Sequence, residues 1–328
     1  MKEFFLHIGY PKTGTTFLQR KVFNEDSELK YLGKSQSLEN SSEIDIIVDE
    51  LRLIPNKTFK SNQEKYIERI KSIIDFETTT DKFVYSNELL LNQLFCPHFC
   101  ITVLLNRLLT ILKTANLKVK LIATHRDISD LILALFSEAP HHFSNYHGKW
   151  NSFYKFKRSL FSDIYDKRTS NFINSLNLEY IKKNIDLSEE DFCILAFSQL
   201  KNDFESYHAQ LQDFIGTTYQ KQLKHEPQRV NPSTVKDGVY ESKKYQMILT
   251  EFIARIIPRS VKNLLPHKVI FFLKASRNRT EKFFTTNRYM LSLANLLERL
   301  FLRDKVEQIT FTETEKSALK QKFKLEKI

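Results

Sequence analysis

The chain has 328 residues, 41% hydrophobic and 27% charged, with only 6 Gly and 8 Pro, a balance that suits a soluble globular protein and excludes a long low-complexity tail. Lys and Arg outnumber Asp and Glu by 50 to 39, a formal +11 that suits an anionic ligand, nucleic acid or an acidic membrane surface without choosing among them. The 3 cysteines (Cys96, Cys100, Cys193) form no CxxC or Cys/His ligand pattern, which argues against a disulfide framework and leaves the group around His98 short of a fourth metal ligand.

The first predicted element is a strand. Phe4-Phe5-Leu6-His7-Ile8 is an apolar run ending at Gly9, a tight loop carrying Lys12 follows, and from Thr15 to about Phe23 the composition suits a helix. Strand, glycine-bounded loop and helix together make a phosphate cradle, with backbone N–H groups turned inward and the positive end of the helix dipole behind them. The Gly9 to Gly14 spacing matches the GxxxxG of a nucleotide-binding loop, but Thr15 stands where that motif requires Lys. With no apolar run ending in a Walker-B-like Asp, the loop is expected to hold a phosphate rather than act on the γ-phosphate of ATP.

Residues 27–80 are polar and mixed, with helical patches at Ile44–Leu53 and Tyr66–Ile74 and a break at Pro55-Asn56. Lys82–Ser86 is the second strand, ending at Ser86-Asn87-Glu88, and Val103–Asn116 is a helix with apolar residues at helical spacing. Leu117–Ala123 is a third strand, ending at Thr124-His125-Arg126; the helix Ser129–Ser137 follows, with Ser129 as its expected N-cap. The His-, Tyr- and Phe-rich segment 140–170 is expected to form loops and short helices over the site. Phe192–Phe197 is a fourth strand, and Gly216 stops a helix over Asp203–Ile215.

Strands alternating with helices predict an α/β fold: a central parallel sheet flanked by helices, with ligands beyond the C-terminal strand ends. Lys12, Glu88 and Arg126 all fall at such ends, which points to one shared pocket. Residues 1–235 are expected to form this core, and 236–328 a helical basic region packing on it. Arg255–Phe284 is basic and amphipathic; it suits an interfacial helix on anionic lipid, or, with more weight, a helix whose apolar side packs on the core. Only two or three residues precede the first strand and no window approaches ~18 consecutive apolar residues, so neither signal peptide nor spanning helix is expected and a cytoplasmic location is.

The string LHIGYPKTGTTFLQ, with PKTGTT directly after an apolar strand, resembles the 5′-phosphosulfate-binding loop of the sulfotransferases, most of all their bacterial carbohydrate-type branch. The resemblance implies a P-loop-like sulfotransferase architecture and a donor, 3′-phosphoadenosine-5′-phosphosulfate (PAPS), lying on Pro11, Lys12, Thr13, Gly14, Thr15 and Thr16. Lys12 would then stabilise charge on the departing phosphate, and the scheme requires no metal. Arg126 resembles the arginine that grips the donor's 3′-phosphate; its other reading is an ion pair with Asp127 or Asp130. The family's serine eight positions later is Ala134 here, so either Ser129 or Ser137 substitutes or the grip is looser.

Ser86-Asn87-Glu88 resembles a Ser-x-Glu of the same branch, making Glu88 a candidate general base, with a helix-start carboxylate as the alternative. His7, His125, His141 and His142 compete for that role. Arg229-Val230-Asn231-Pro232-Ser233 resembles a late loop that closes over the donor through Arg229, Asn231 and Ser233. Phe197-Ser198-Gln199-Leu200 stands where relatives carry an aromatic-Glu-x-Leu, a mark of fold rather than chemistry. The implied reaction moves a sulfuryl group from PAPS to a hydroxyl of a carbohydrate or glycolipid, with peripheral contact to an anionic membrane as an option and no nucleic-acid partner. A P-loop kinase or NTPase, or a non-enzymatic basic protein binding nucleic acid or membrane, are the competing readings.

Overall fold

The structure, a computed structural model, describes residues 1–10, 12–33, 42–76, 80–87, 90–91, 100–138, 143, 152–162, 165, 167–217, 235–236, 239–241 and 308–323. Strand β1 (Glu3–Gly9) is buried on both faces from Phe4 onward, as a near-continuous apolar run in the middle of a parallel sheet must be. The chain then enters α1 (Thr15–Phe17), which widens at once into a π-helical stretch, Leu18–Phe23, where the sequence predicts an ordinary α-helix. A short strand that the pattern does not announce, β2 (Lys30–Tyr31), follows.

Helix α2 (Glu43–Leu53) starts at Ser42, whose hydroxyl accepts from the Asp45 backbone, and ends at Ile54, held extended by the proline after it. Helix α3 (Asn56–Phe76) begins directly after Pro55. It runs well beyond the expected 66–74 patch, because its first turns are polar and exposed and so carry little apolar periodicity. Then come β3 (Lys82–Ser86), α4 (Ile101–Thr114), β4 (Lys118–His125) and α5 (Ile128–Glu138). Three short helices, α6 (Phe153–Leu160), α7 (Lys167–Ser175) and α8 (Leu178–Asn184), lead into β5 (Phe192–Ala196), α9 (Phe197–Asn202) and α10 (Phe204–Ile215).

The five strands are parallel in the order β2-β3-β1-β4-β5, so the chain leaves β1 toward one edge and returns to β4 on its other side. That reversal places a crevice at the C-terminal ends of β1 and β4, where ligands of such sheets bind. The register sets His7 opposite Ser86 and Gly9 opposite Thr124. Alternation along β1 feeds two cores. Phe4, Leu6 and Ile8 join the larger, with α2–α5, and Phe5 packs with Leu18, Phe23, Val84, Ile122 and Leu211 in the smaller.

Beyond α10, β6 (Val235–Lys236) and β7 (Val239–Glu241) form an antiparallel pair, and β8 (Gln308–Ile309) precedes α11 (Glu313–Phe323). The chain divides into two compact units, Met1–Tyr240 with Ile309–Ile328, and Glu241–Gln308. The sequence-based division at 235 groups the last residues with the region before them, but Ile309, Phe311, Leu319 and Phe323 are buried in the large core. A reciprocal cap starts α11: the Thr312 backbone donates to Glu315 Oε2 (2.8 Å), and the Glu315 backbone to Thr312 Oγ1 (3.2 Å). The basic amphipathic stretch at 255–284 lies outside the described residues. No helix among the described residues is long and apolar enough to cross a membrane.

Candidate active site

The loop after β1 is braced from within. Thr13 is fully buried; its hydroxyl donates to the Tyr10 carbonyl (2.6 Å) and meets Thr124 Oγ1 at 2.8 Å, tying the loop to the end of β4. The Thr13 backbone N–H also turns back to the Tyr10 carbonyl (3.3 Å). Thr13, expected to supply donors to a phosphate, is therefore a strut of the loop. Gly9 and Gly14 have different reasons. A Cβ on Gly9 would stand 2.0 Å from Thr15 Cγ2 and 2.7 Å from Thr124 Oγ1, so the strand end and the helix start approach too closely for a side chain. Gly14 has φ +82°, and its Cβ would stand 2.3 Å from Leu200 Cδ2.

Lys12 also has positive φ, 70°, unusual for a residue with a side chain and a source of local backbone strain. The turn so formed delivers Thr15 and Thr16 as the first helical residues. Their N–H groups, with that of Gly14, have no carbonyl one turn earlier within the helix. The Gly14 carbonyl accepts from Phe17 (2.9 Å) and Leu18 (3.1 Å).

Under the loop lies a buried polar group. His7 is fully buried, its Nδ1 2.6 Å from Ser86 Oγ, and Gln19 Nε2 donates to the same hydroxyl (3.0 Å). The ring of Phe23 meets the imidazole edge-on at 5.3 Å. Burial pushes the His7 pKa down to about 3, so the ring is neutral at ordinary pH and a poor proton acceptor. Burial likewise lowers His125, with Asp127 opposing.

At the end of β3, Tyr85 Oη donates to Asp45 Oδ1 (2.8 Å), while Asn87 Nδ2 donates to the same oxygen (3.0 Å) and to Tyr85 Oη (3.0 Å). Asp45 thus fixes the residue before Glu88. Sequence reasoning missed it, because behind Ser42 it looks only like a first-turn carboxylate. Glu88 itself, with Pro11, His141, His142, Arg229, Asn231 and Ser233, lies outside the described residues.

Arg126 follows β4 with its side chain 11% exposed, its Nη2 3.4 Å from Asp130 Oδ2 and its guanidinium carbon 5.3 Å from the centre of the Phe197 ring. Ser129 does not cap α5. Asp127 does, accepting from the Ser129 backbone (3.0 Å), the Asp130 backbone (3.2 Å) and the Ser129 hydroxyl. Burial works to raise the Asp127 carboxyl, but these bonds and the Lys320 ammonium outweigh it and hold it below its ordinary value. Ser137 stands near the far end of α5, about 12 Å along the axis from Ser129 at the usual helical rise, and Ala134 between them is buried. The two serines are therefore not interchangeable partners for Arg126.

Phe197 and Leu200, read from the sequence as fold markers, lie against the Gly14 turn. Lys201 Nζ stands 4.7 Å from the centre of the Phe197 ring. The Phe197 ring thus has Arg126 and Lys201 near it and lies beside the Gly14 turn. Among the described residues no group of three or more His, Cys, Asp or Glu is placed to hold a metal ion.

The sulfotransferase domain profile matches residues 3–269, and the chain belongs to that family. A structural neighbour is mouse sulfotransferase SULT7A1 complexed with PAP, 13% identical, with a TM-score of 0.35 over 67% of this chain and 61% of that one. The chain thus covers about three fifths of the neighbour's length. No match is found among curated protein sequences.

Proposed function

We propose that the chain moves a sulfuryl group from PAPS to a hydroxyl of a carbohydrate or glycolipid in the cytoplasm. The loop carries this reading: a turn with positive φ at Lys12 and Gly14, braced by Thr13–Thr124, sets a lysine directly before the first residues of a helix. A Cβ at Gly9 would collide with Thr15 and Thr124, and one at Gly14 with Leu200, so the turn keeps this shape only with glycine at both positions.

When bound, PAPS supplies a sulfuryl group on an activated phosphate linkage. As the acceptor oxygen bonds to sulfur, the bond from sulfur to the 5′-phosphate oxygen breaks and the acceptor proton leaves. Lys12 neutralises charge building on that phosphate oxygen. Gly14, Thr15 and Thr16 orient the 5′-phosphate through backbone N–H groups, and the Thr16 hydroxyl can add a bond. Arg126 takes the 3′-phosphate as a planar two-pronged donor. Glu88 takes the acceptor proton, at the end of a strand that Asp45 holds through Tyr85 and Asn87. Arg229, Asn231 and Ser233 complete the donor's cover.

Calorimetry with adenosine 3′,5′-bisphosphate in the presence of a chelator tests the donor site: tight, magnesium-independent binding is expected. Stronger binding of ATP with magnesium would replace this reading with a nucleotide-dependent kinase, and binding of nucleic acid alone, falling steeply with salt, would replace it with a nucleic-acid-binding protein. Lys12→Ala should lower transfer by roughly 10²–10³-fold with an unchanged circular dichroism spectrum, the loss typical of one preorganised electrostatic group. Wild-type turnover in that variant would remove Lys12 from the mechanism.

A further inference from the structure

Successive side chains at the end of β3 leave on opposite faces of the sheet. Tyr85 and Asn87 turn to Asp45 on α2, and Ser86 between them turns the other way, to the helical stretch after the loop. There Gln19 Nε2 donates to the Ser86 hydroxyl (3.0 Å) and to its carbonyl (3.4 Å), and Ser86 Oγ lies 2.6 Å from Nδ1 of His7, its partner across the parallel register. His7 and Ser86 are buried and Gln19 is half-buried, on the side of the sheet where Leu18, Phe23, Val84 and Ile122 form an apolar core. A polar triple in such a place, with His7 Nε2 unpartnered among the described residues, is costly, and an apolar residue at position 7 would avoid the cost.

We propose that Gln19, Ser86 and His7 form a one-way donor chain that seats the helix after the loop, which makes Gln19 a positioning residue for the donor's 5′-phosphate. This rests on the PAPS reading above. The direction follows from the protons: the Gln19 amide donates to the Ser86 oxygen, the hydroxyl proton goes to Nδ1 of a neutral ring, and the ring's own proton stays on Nε2. Gln19 comes one turn after Thr15, which is also buried. A Cβ on Gly9 would stand 2.0 Å from Thr15 Cγ2 and 3.2 Å from His7 Cε1, so the helix start and the imidazole crowd the same spot on β1. The helix is thus held at two places, by Thr15 over β1 and by Gln19 at the end of β3. The first sets its height above the sheet. The second stops it from swinging about that contact, a swing that would carry the N–H groups of Gly14, Thr15 and Thr16 off a bound phosphate. The Thr13–Thr124 bond ties the loop to β4, on the opposite side of β1, and does not replace a bond to β3.

The test compares adenosine 3′,5′-bisphosphate with adenosine 3′-monophosphate, which lacks the 5′ group, by calorimetry on the full chain. The wild type should prefer the bisphosphate. Gln19→Met keeps the length of the side chain but not its donor. It should weaken the bisphosphate roughly three- to tenfold, as loss of one hydrogen bond does, and the monophosphate less than about twofold. Equal weakening of both ligands would make Gln19 a general prop of the fold, and an unchanged bisphosphate affinity would leave it without a part in seating the helix; either result overturns the proposal. Nitrogen-15 NMR of histidine-labelled protein, with His7→Asn identifying the resonance, should show His7 neutral with its proton on Nε2. A proton on Nδ1 would run the chain backwards and overturn it as well. A wild type that binds neither ligand, or does not discriminate between them, would instead overturn the donor reading, and this assignment with it.

Discussion

His7 shows how burial decides what a residue can do. The imidazole sits in the central strand, bonded to Ser86, with its Nε2 unpartnered among the described residues. Its pKa is depressed to about 3, so the unfolded chain binds a proton there at higher pH than the folded one does. Stability therefore rises with pH between about 3 and the ordinary histidine value near 6.5, and falls as the solution is acidified through that window. At pH 5 the cost is on the order of 2 kcal/mol relative to neutral pH. Thermal unfolding followed from pH 7 to 5 should fall more steeply for the wild type than for His7→Asn; parallel curves would mean that the imidazole is not the buried neutral group described. The tight turn at Lys12 and Gly14 was legible in the sequence because a strand end, two glycines and a helix start lie within a few positions of one another. Thr124 and Asp45 were not, since each acts through a strand register or a contact tens of residues distant.

Elements are joined in this fold by single polar side chains as well as by apolar faces. Arg107 is the clearest. From within α4 its Nη1 donates to the carbonyls of Leu51 (2.5 Å) and Ile54 (2.9 Å), its Nη2 to Asn56 Oδ1 (2.5 Å), and its guanidinium carbon lies 5.3 Å from the Phe59 ring centre. One buried arginine thus closes the C-terminal end of α2 and the turn into α3. Arg107→Leu should cost about 3 kcal/mol, because buried carbonyls lose a charged donor and leucine offers none. Urea unfolding should show a lower midpoint at unchanged slope; a loss below about 0.5 kcal/mol would mean that water replaces the guanidinium there. Helices α2, α4, α5 and α10 and four of the five strands of the parallel sheet were legible because apolar periodicity and breakers such as Pro55 and Gly216 act locally. The two-residue β2 is too short to carry a period. The π-helical turn after α1, within which Gln19 bonds to Ser86, has no compositional mark.

At the scale of the whole molecule, the α/β class followed from the alternation of elements, but the return of the C-terminal segment did not. Phe311 packs edge-on against Phe153 (5.3 Å) and Phe161 (6.2 Å), and Phe153 in turn against Phe136 (5.2 Å), so the final residues finish a phenylalanine cluster that starts in α5. In sequence α11 is strongly charged and weakly amphipathic, and nothing local marks the two residues it buries, Leu319 and Phe323. Lys157 meets Glu315 at 2.8 Å, and Lys320 meets Asp127, the cap of α5 beside Arg126. Leu319→Ala with Phe323→Ala should therefore cost about 5 kcal/mol or more, as two large-to-small changes in a core do, and unfold the protein at temperatures where the wild type is native. Lys320→Ala separates that packing from the site. Its ion pair is exposed, so stability should change by less than about 1 kcal/mol. Lys320→Ala also leaves the Asp127 charge unopposed next to Arg126, and bisphosphate affinity should fall a few-fold, with the loss shrinking as salt is raised. An affinity unmoved by Lys320→Ala at low salt would show that the C-terminal helix supports the fold without reaching the donor site.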